Sequence, residues 1–166
     1  MSTGIRIEGA VEADVPLILE LIKGLAEYER LSGEVTATED GLRQALFGAS
    51  SPARALIARD GAEAVGFAVY FYNFSTFLGR PGLYLEDLFV RPDWRRRGVG
   101  RRLLRHLARL AVAEGCGRLE WSVLDWNAPA IAFYRSIGAR AMDEWTVYRL
   151  TGAALERFAS GDAAGV

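Results

Sequence analysis

Leu85-Glu-Asp-Leu-Phe-Val-Arg-Pro-Asp-Trp-Arg-Arg-Arg-Gly-Val-Gly100 decides how this chain folds. An apolar strand runs into a turn rich in arginine and glycine, and a long amphipathic helix starts where the turn ends. Such a strand–turn–helix aims unpaired backbone N–H groups and the positive end of the helix dipole at one point, which suits a phosphate. Gly98 and Gly100 let the backbone approach a ligand closely. Arg95, Arg96, Arg97 and Arg101 add positive charge around it. A Walker loop would need Gly-Lys-Ser/Thr, but Gly100 is followed by Arg101-Arg102; a Rossmann fingerprint would need a third glycine where Leu103 stands.

A second informative stretch, Asp125-Trp-Asn-Ala-Pro-Ala-Ile-Ala-Phe-Tyr-Arg-Ser-Ile-Gly-Ala139, follows the apolar strand expected over 118–124. Asn127 is placed to cap a helix, Pro129 suits its first turn and Gly138 its end.

Arg95-x-x-Gly98-x-Gly100 resembles the acetyl-CoA pyrophosphate loop of the GCN5-related N-acetyltransferases. The segment from Asn127 through Tyr134 to Gly138-Ala139 is similar to that family's last motif, in the same order and at the expected separation. Leu21–Leu31, Tyr84–Val90 and Val123–Asn127 narrow the resemblance to the diamine acetyltransferase branch, with Leu25–Leu31 and Val123–Asn127 closer to the thialysine type. Two departures stand out. The Arg59-Asp-Gly-Ala62 connection is shorter than usual, and Thr146 stands where an acidic residue is typical, which weakens the case for a polyamine.

The resemblance implies an α/β (α+β) fold: a mixed, twisted sheet of about six to seven strands flanked by helices, with an acetyl-CoA cleft between two splayed central strands. It implies acetyl transfer from acetyl-CoA to a primary amine of a small molecule, lysine-like or a polyamine, by direct attack in a ternary complex. Backbone groups of Leu88, Phe89 and Val90 would pair with the pantetheine arm, one N–H polarising the thioester carbonyl. Arg95, Arg96, Arg97, Gly98, Val99, Gly100 and Arg101 would hold the pyrophosphate, and Asn127, Ala128, Pro129, Ala130 and Tyr134 would complete the cofactor site. Tyr134 would donate the proton to the leaving sulfur. Tyr28 and Glu29 match the amine-contacting pair, while Glu120, Trp121 and Ser122 occupy the substrate-side strand. The resemblance also implies a homodimer.

Some residues carry a reading of their own. Glu86 lies in an apolar strand and is costly there unless paired or functional. Burial would raise its pKa and make it a base, directly or through water; a salt bridge is the competing role. By strand alternation Asp87 would point to the other face and be structural. Trp121 could stack on a cation or fill the core. His106 should face solvent, and Cys116 has no His partner placed by sequence. One His and one Cys make no transition-metal cluster, so no metal is expected. Peptide N-acetylation and a non-catalytic acyl-CoA-binding module remain the alternatives; Tyr28-Glu29 speaks against the first, Tyr134 and Glu86 against the second.

Composition fits a small enzyme. The 166 residues suit a single domain over 1–166, with 160–166 as a flexible tail. Half of the residues, 51%, are hydrophobic, yet no apolar run approaches the ~20 of a membrane span. Met1-Ser-Thr-Gly lacks the layout of a signal peptide. The lone cysteine suits a reducing cytoplasm. A formal net charge of -1 and a pI near 5.9 argue against nucleic acid.

Periodicity predicts a strand at 5–8, a helix from Asp14 to about Leu31, and a second helix with a Thr36/Glu39 capping box. It then predicts a hairpin over 55–74 turning at Asp60-Gly61, a strand at 83–90 and a helix at 98–114. A strand at 118–124, a helix at 127–137, a strand at 145–150 and a helix at 151–159 complete the order.

Overall fold

A computed structural model describes residues 4–161. Tertiary contacts divide the chain into two compact units that meet between Leu124 and Asp125.

The first unit is a five-stranded sheet with three helices. Its strands are β1 (Arg6–Gly9), β2 (Arg54–Asp60), β3 (Glu63–Ser75), β4 (Arg80–Val90) and β5 (Leu119–Trp121), hydrogen-bonded in that order. The first four run antiparallel; β5 lies parallel to β4, as it must after a helical crossover. The helices are α1 (Val15–Tyr28), α2 (Glu39–Phe47) and α3 (Val99–Ala113), the last forming that crossover. The β2–β3 hairpin turns at Gly61, whose φ of +59° suits a residue without Cβ.

Alternation along the strands sends one set of side chains to each face. Ala55, Ile57, Phe67 and Phe89 pack against Ile18, Leu21 and Leu25 of α1 and Leu46 of α2. Gly24 makes this possible, because a Cβ there would come within 2.9 Å of the Phe89 ring. On the other face, Leu88 and Val90 approach Gly100 of α3, whose Val99, Leu103 and Leu107 are fully buried. His106 is half-buried.

Two local expectations shift. Thr38, not Thr36, caps α2, its Oγ1 accepting from the Gly41 N–H at 3.1 Å. Asp14 makes no side-chain cap on α1; its carboxylate accepts from the Val11 N–H and from Arg59 instead, because a tight turn at Glu12–Asp14 precedes the helix.

The second unit holds α4 (Ala128–Ser136) and α5 (Gly152–Ser160). Asn127 Oδ1 caps α4 by accepting from the Ala130 N–H at 3.4 Å, and Gly138 follows the helix with φ +88°. The expected strand at 145–150 joins no ladder, so the sheet has five strands among the described residues rather than six or seven. Trp145, Val147 and Tyr148 are exposed there, and an isolated extended segment gains nothing from pairing. Of the tail expected over 160–166, Ser160 ends α5 and Gly161 follows with φ +81°; the remainder lies outside the described residues. No helix among those residues is long and apolar enough to cross a membrane.

Candidate active site

The site begins where β4 and β5 part. Their pairing covers only Leu83–Leu85 against Leu119–Trp121. From Glu86 to Val90, β4 keeps β3 on one side and has no strand on the other among the described residues. Backbone donors and acceptors on that edge have no strand partner among the described residues.

The turn after β4 is held by its own arginines. Arg91 donates to the Ala64 carbonyl at 2.7 Å and to Glu20 at 2.8 Å. Trp94 donates to Glu63 at 3.2 Å. Arg96 (φ +62°) and Gly98 (φ +80°) both take left-handed backbone, which turns successive N–H groups toward the start of α3. The side chains of this turn divide by role. Arg95 lies over the Tyr28 ring at 4.6 Å and the Phe89 ring at 5.6 Å, and its Nε donates to the Val90 carbonyl. Arg97 stacks on Trp94 at 4.9 Å. Arg96 and Arg101 are exposed. Arg95 thus ties the anion loop to the end of α1, where Tyr28 and Glu29 lie.

Glu86 is a correction. It is exposed, not buried as the apolar strand suggested. The register explains why. Val69 pairs with Asp87 and Tyr70 with Leu85, leaving Glu86 as the extra residue of a β-bulge. Asp87 pairs with Val69 and alternates regularly with core Phe89, so it lies on the face toward α1, apart from the extra residue Glu86. Burial, together with the charges of Glu86 and Glu29, pushes the Asp87 carboxyl up to about 6. Burial also raises Glu29. Asp87 therefore feels the charges of both Glu86 and Glu29 on the face of β4 toward α1.

The sign for stability follows. Folded Asp87 binds its proton more tightly than the unfolded chain, whose ordinary value is near 3.8, so stability falls as pH rises between these values and stays low above about 6. Asp87→Asn is expected to raise stability by roughly 1–3 kcal/mol at pH 8 and by little at pH 4. Denaturant melts of both proteins at the two pH values check this; equal stability at pH 8 would show that the fold does not strain this carboxylate.

Strand β5 completes the same face. Tyr84 is in register with Glu120. Its hydroxyl meets Ser122 Oγ at 2.8 Å, and its ring packs 5.0 Å from that of Phe71. Glu120 is paired with Arg118 at 2.7 Å. Trp121 is in register with buried Leu85 and so belongs to the opposite, α3 face, apart from Glu120 and Ser122. Sequence reading missed Asp87, Tyr84 and Arg118. The two-residue spacing of Asp87 from core Phe89 was the signal for the first.

In the second unit, Tyr134 is half-buried on α4, its ring 5.6 Å from that of Phe133. Its carbonyl accepts from the Ala139 N–H at 3.1 Å, closing the helix end.

A strand–loop–helix anion site beside a parting pair of parallel strands defines an acyl-CoA-dependent transferase. The chain belongs to the acetyltransferase (GNAT) family, whose match spans residues 19–139, and it is an acetyl-CoA-dependent N-acetyltransferase. It is 36% identical to the thialysine N-epsilon-acetyltransferase of Bos taurus, over 93% of this chain and 97% of that one. It is 34% identical to an L-ornithine N5-acetyltransferase of Arabidopsis thaliana, over 91% and 86% respectively. Among solved structures, an integron cassette protein from V. cholerae superposes with a TM-score of 0.79 at 30% identity, covering 93% of this chain and 97% of that one.

Proposed function

We propose that the chain acetylates the terminal amine of a small, lysine-like amino acid. The observation that carries this is the group of Glu29, Glu86 and Asp87 beside the open edge of β4, which suits a cationic amine and offers it a base. Asp87, with a pKa pushed up to about 6, is ionised at neutral pH yet basic enough to take a proton from the ammonium, with Glu86 sharing the task directly or through water. The freed amine attacks the thioester carbonyl in a ternary complex. One backbone N–H of Leu88–Val90 holds the developing oxyanion, the C–S bond breaks as the C–N bond persists, the nitrogen gives up its second proton to water, and Tyr134 returns a proton to the thiolate. Pyrophosphate binding is assigned to the backbone of Gly98–Gly100 with Arg96 and Arg101, and the remainder of the cofactor to Asn127, Ala128, Pro129 and Ala130. The named activities of the thialysine and ornithine relatives support this acceptor class. The lone cysteine and acidic pI support a cytoplasmic protein without a nucleic-acid partner, and the family resemblance supports a homodimer.

Thr146 withholds a carboxylate that a second polyamine nitrogen would use, unless Glu144 supplies it. Higher kcat/KM is therefore expected for thialysine than for spermidine or spermine, with Glu29→Gln weakening all three. Side-by-side kinetics test it: a clear preference for spermidine would overturn the reading of Thr146. With Asp87 as base, kcat/KM should fall as pH drops through about 6, and Asp87→Asn should abolish that limb of the profile.

A further inference from the structure

The face that carries Asp87 continues along β5 to a pair of opposite charges with no evident structural duty. Arg118 and Glu120 are two residues apart on one face, Arg118 Nε 2.7 Å from Glu120 Oε1, with their side chains 40% and 35% exposed. An ion pair this exposed contributes little to stability. It is nevertheless held in place. Asn73 Nδ2 donates to Glu120 at 3.4 Å. Gly82 leaves room beneath, since a Cβ there would run into the Asn73 carboxamide and meet the Arg118 stem at 3.3 Å. Tyr84, in register with Glu120, connects the pair to the carboxylates further along β4.

Spacing gives the pair a meaning. Glu86 lies one ladder step beyond the last β4–β5 pair, Leu85 with Trp121, and so at the level of Ser122. Glu120 is two residues back from that level, about 7 Å at the usual strand rise, and Arg118 about 13 Å. A lysine side chain spans about 6 Å from Nζ to Cα across its five extended single bonds. An amine beside Glu86 would thus bring its α-carbon level with Glu120, with Arg118 within reach of a long side chain beyond it.

We propose that Arg118 and Glu120 form a head-group subsite for a free α-amino acid, Glu120 taking the α-ammonium and Arg118 the α-carboxylate. This rests on the lysine-like acceptor proposed above and names what selects it. A diamine or polyamine offers no carboxylate and presents a second cation to Arg118, which disfavours it. A lysine within a peptide lacks both charges and loses both contacts.

The test compares acceptors of equal length: L-ornithine with 1,4-diaminobutane, and L-lysine with 1,5-diaminopentane, plus L-lysinamide and Nα-acetyl-L-lysine. The native protein should favour each amino acid over its diamine by about tenfold or more in kcat/KM, as one lost charged hydrogen bond predicts. Arg118→Gln should lower the amino-acid values by roughly tenfold to a hundredfold and leave lysinamide and the diamines unchanged or improved. Glu120→Gln should weaken the amino acids, lysinamide and the diamines, but not Nα-acetyl-L-lysine. Parity between amino acids and diamines in the native protein, or an equal loss on both in Arg118→Gln, would overturn the subsite while leaving the small-amine reading standing. Failure to acetylate any of these or thialysine, with stabilisation by CoA intact, would overturn the acceptor reading and the subsite with it.

Discussion

Gly100→Asp is expected to abolish stabilisation by CoA while leaving the unliganded fold as stable as before, or slightly more so. Gly100 is the second residue of α3, and a Cβ added there meets Leu88 and Val90 at 3.7 Å, an ordinary contact. An aspartate in the first helical turn is favoured by the dipole by about 0.3–1 kcal/mol, and it replaces a residue of poor helix propensity. The same charge at an anion site repels a pyrophosphate and fills the space it needs. In the native protein, CoA at a hundred times its Kd should add about 2.7 kcal/mol of stability. A thermal-shift titration reads both effects together. Equal stabilisation of the two proteins by CoA would remove the phosphate role from the loop, and a collapse of the unliganded variant would show that Gly100 serves the fold instead.

Tyr134→Phe should lower kcat by roughly 10²-fold or more and leave CoA affinity nearly intact. The substitution keeps the ring that packs beside Phe133 and the backbone carbonyl that closes α4, removing only the hydroxyl. A group that acts only as the thiolate departs contributes to the transition state and not to ground-state binding, so the loss falls on kcat. Steady-state kinetics with a CoA titration separate the two. A variant with native kcat would show that the thiolate takes its proton elsewhere, and a variant that fails to bind CoA would show that the hydroxyl is a cofactor contact.

Much of this was legible in local chemistry. The strand–turn–helix around Gly98, the Asp60-Gly61 hairpin, the Asn127 cap and the Gly138 exit all depend on neighbouring residues, and each forms where its residues ask for it. Family membership was legible for the same reason, since an anion loop needs its glycines at fixed spacing. The expected strand at 145–150 shows the limit. Apolar residues in extended sequence make a strand only when a partner edge is available, and no window of sequence reports that.

The sequence by itself determined the class of fold, the glycine turn before α3 and the presence of carboxylates in the strand that borders it. Tertiary structure decided which of those carboxylates matters. Glu86 and Asp87 are adjacent; the apolar strand suggested burial for Glu86, and alternation a structural role for Asp87. One extra residue in the β3–β4 ladder leaves Glu86 exposed, while Asp87, in step with core Phe89, lies where burial and the charges of Glu86 and Glu29 raise its pKa. Register is a property of two strands and the turn between them, so a single strand read alone carries no sign of the slip. The nearness of Arg95 to Tyr28, and of Asn73 to Glu120, likewise arises only when elements far apart in the chain pack together.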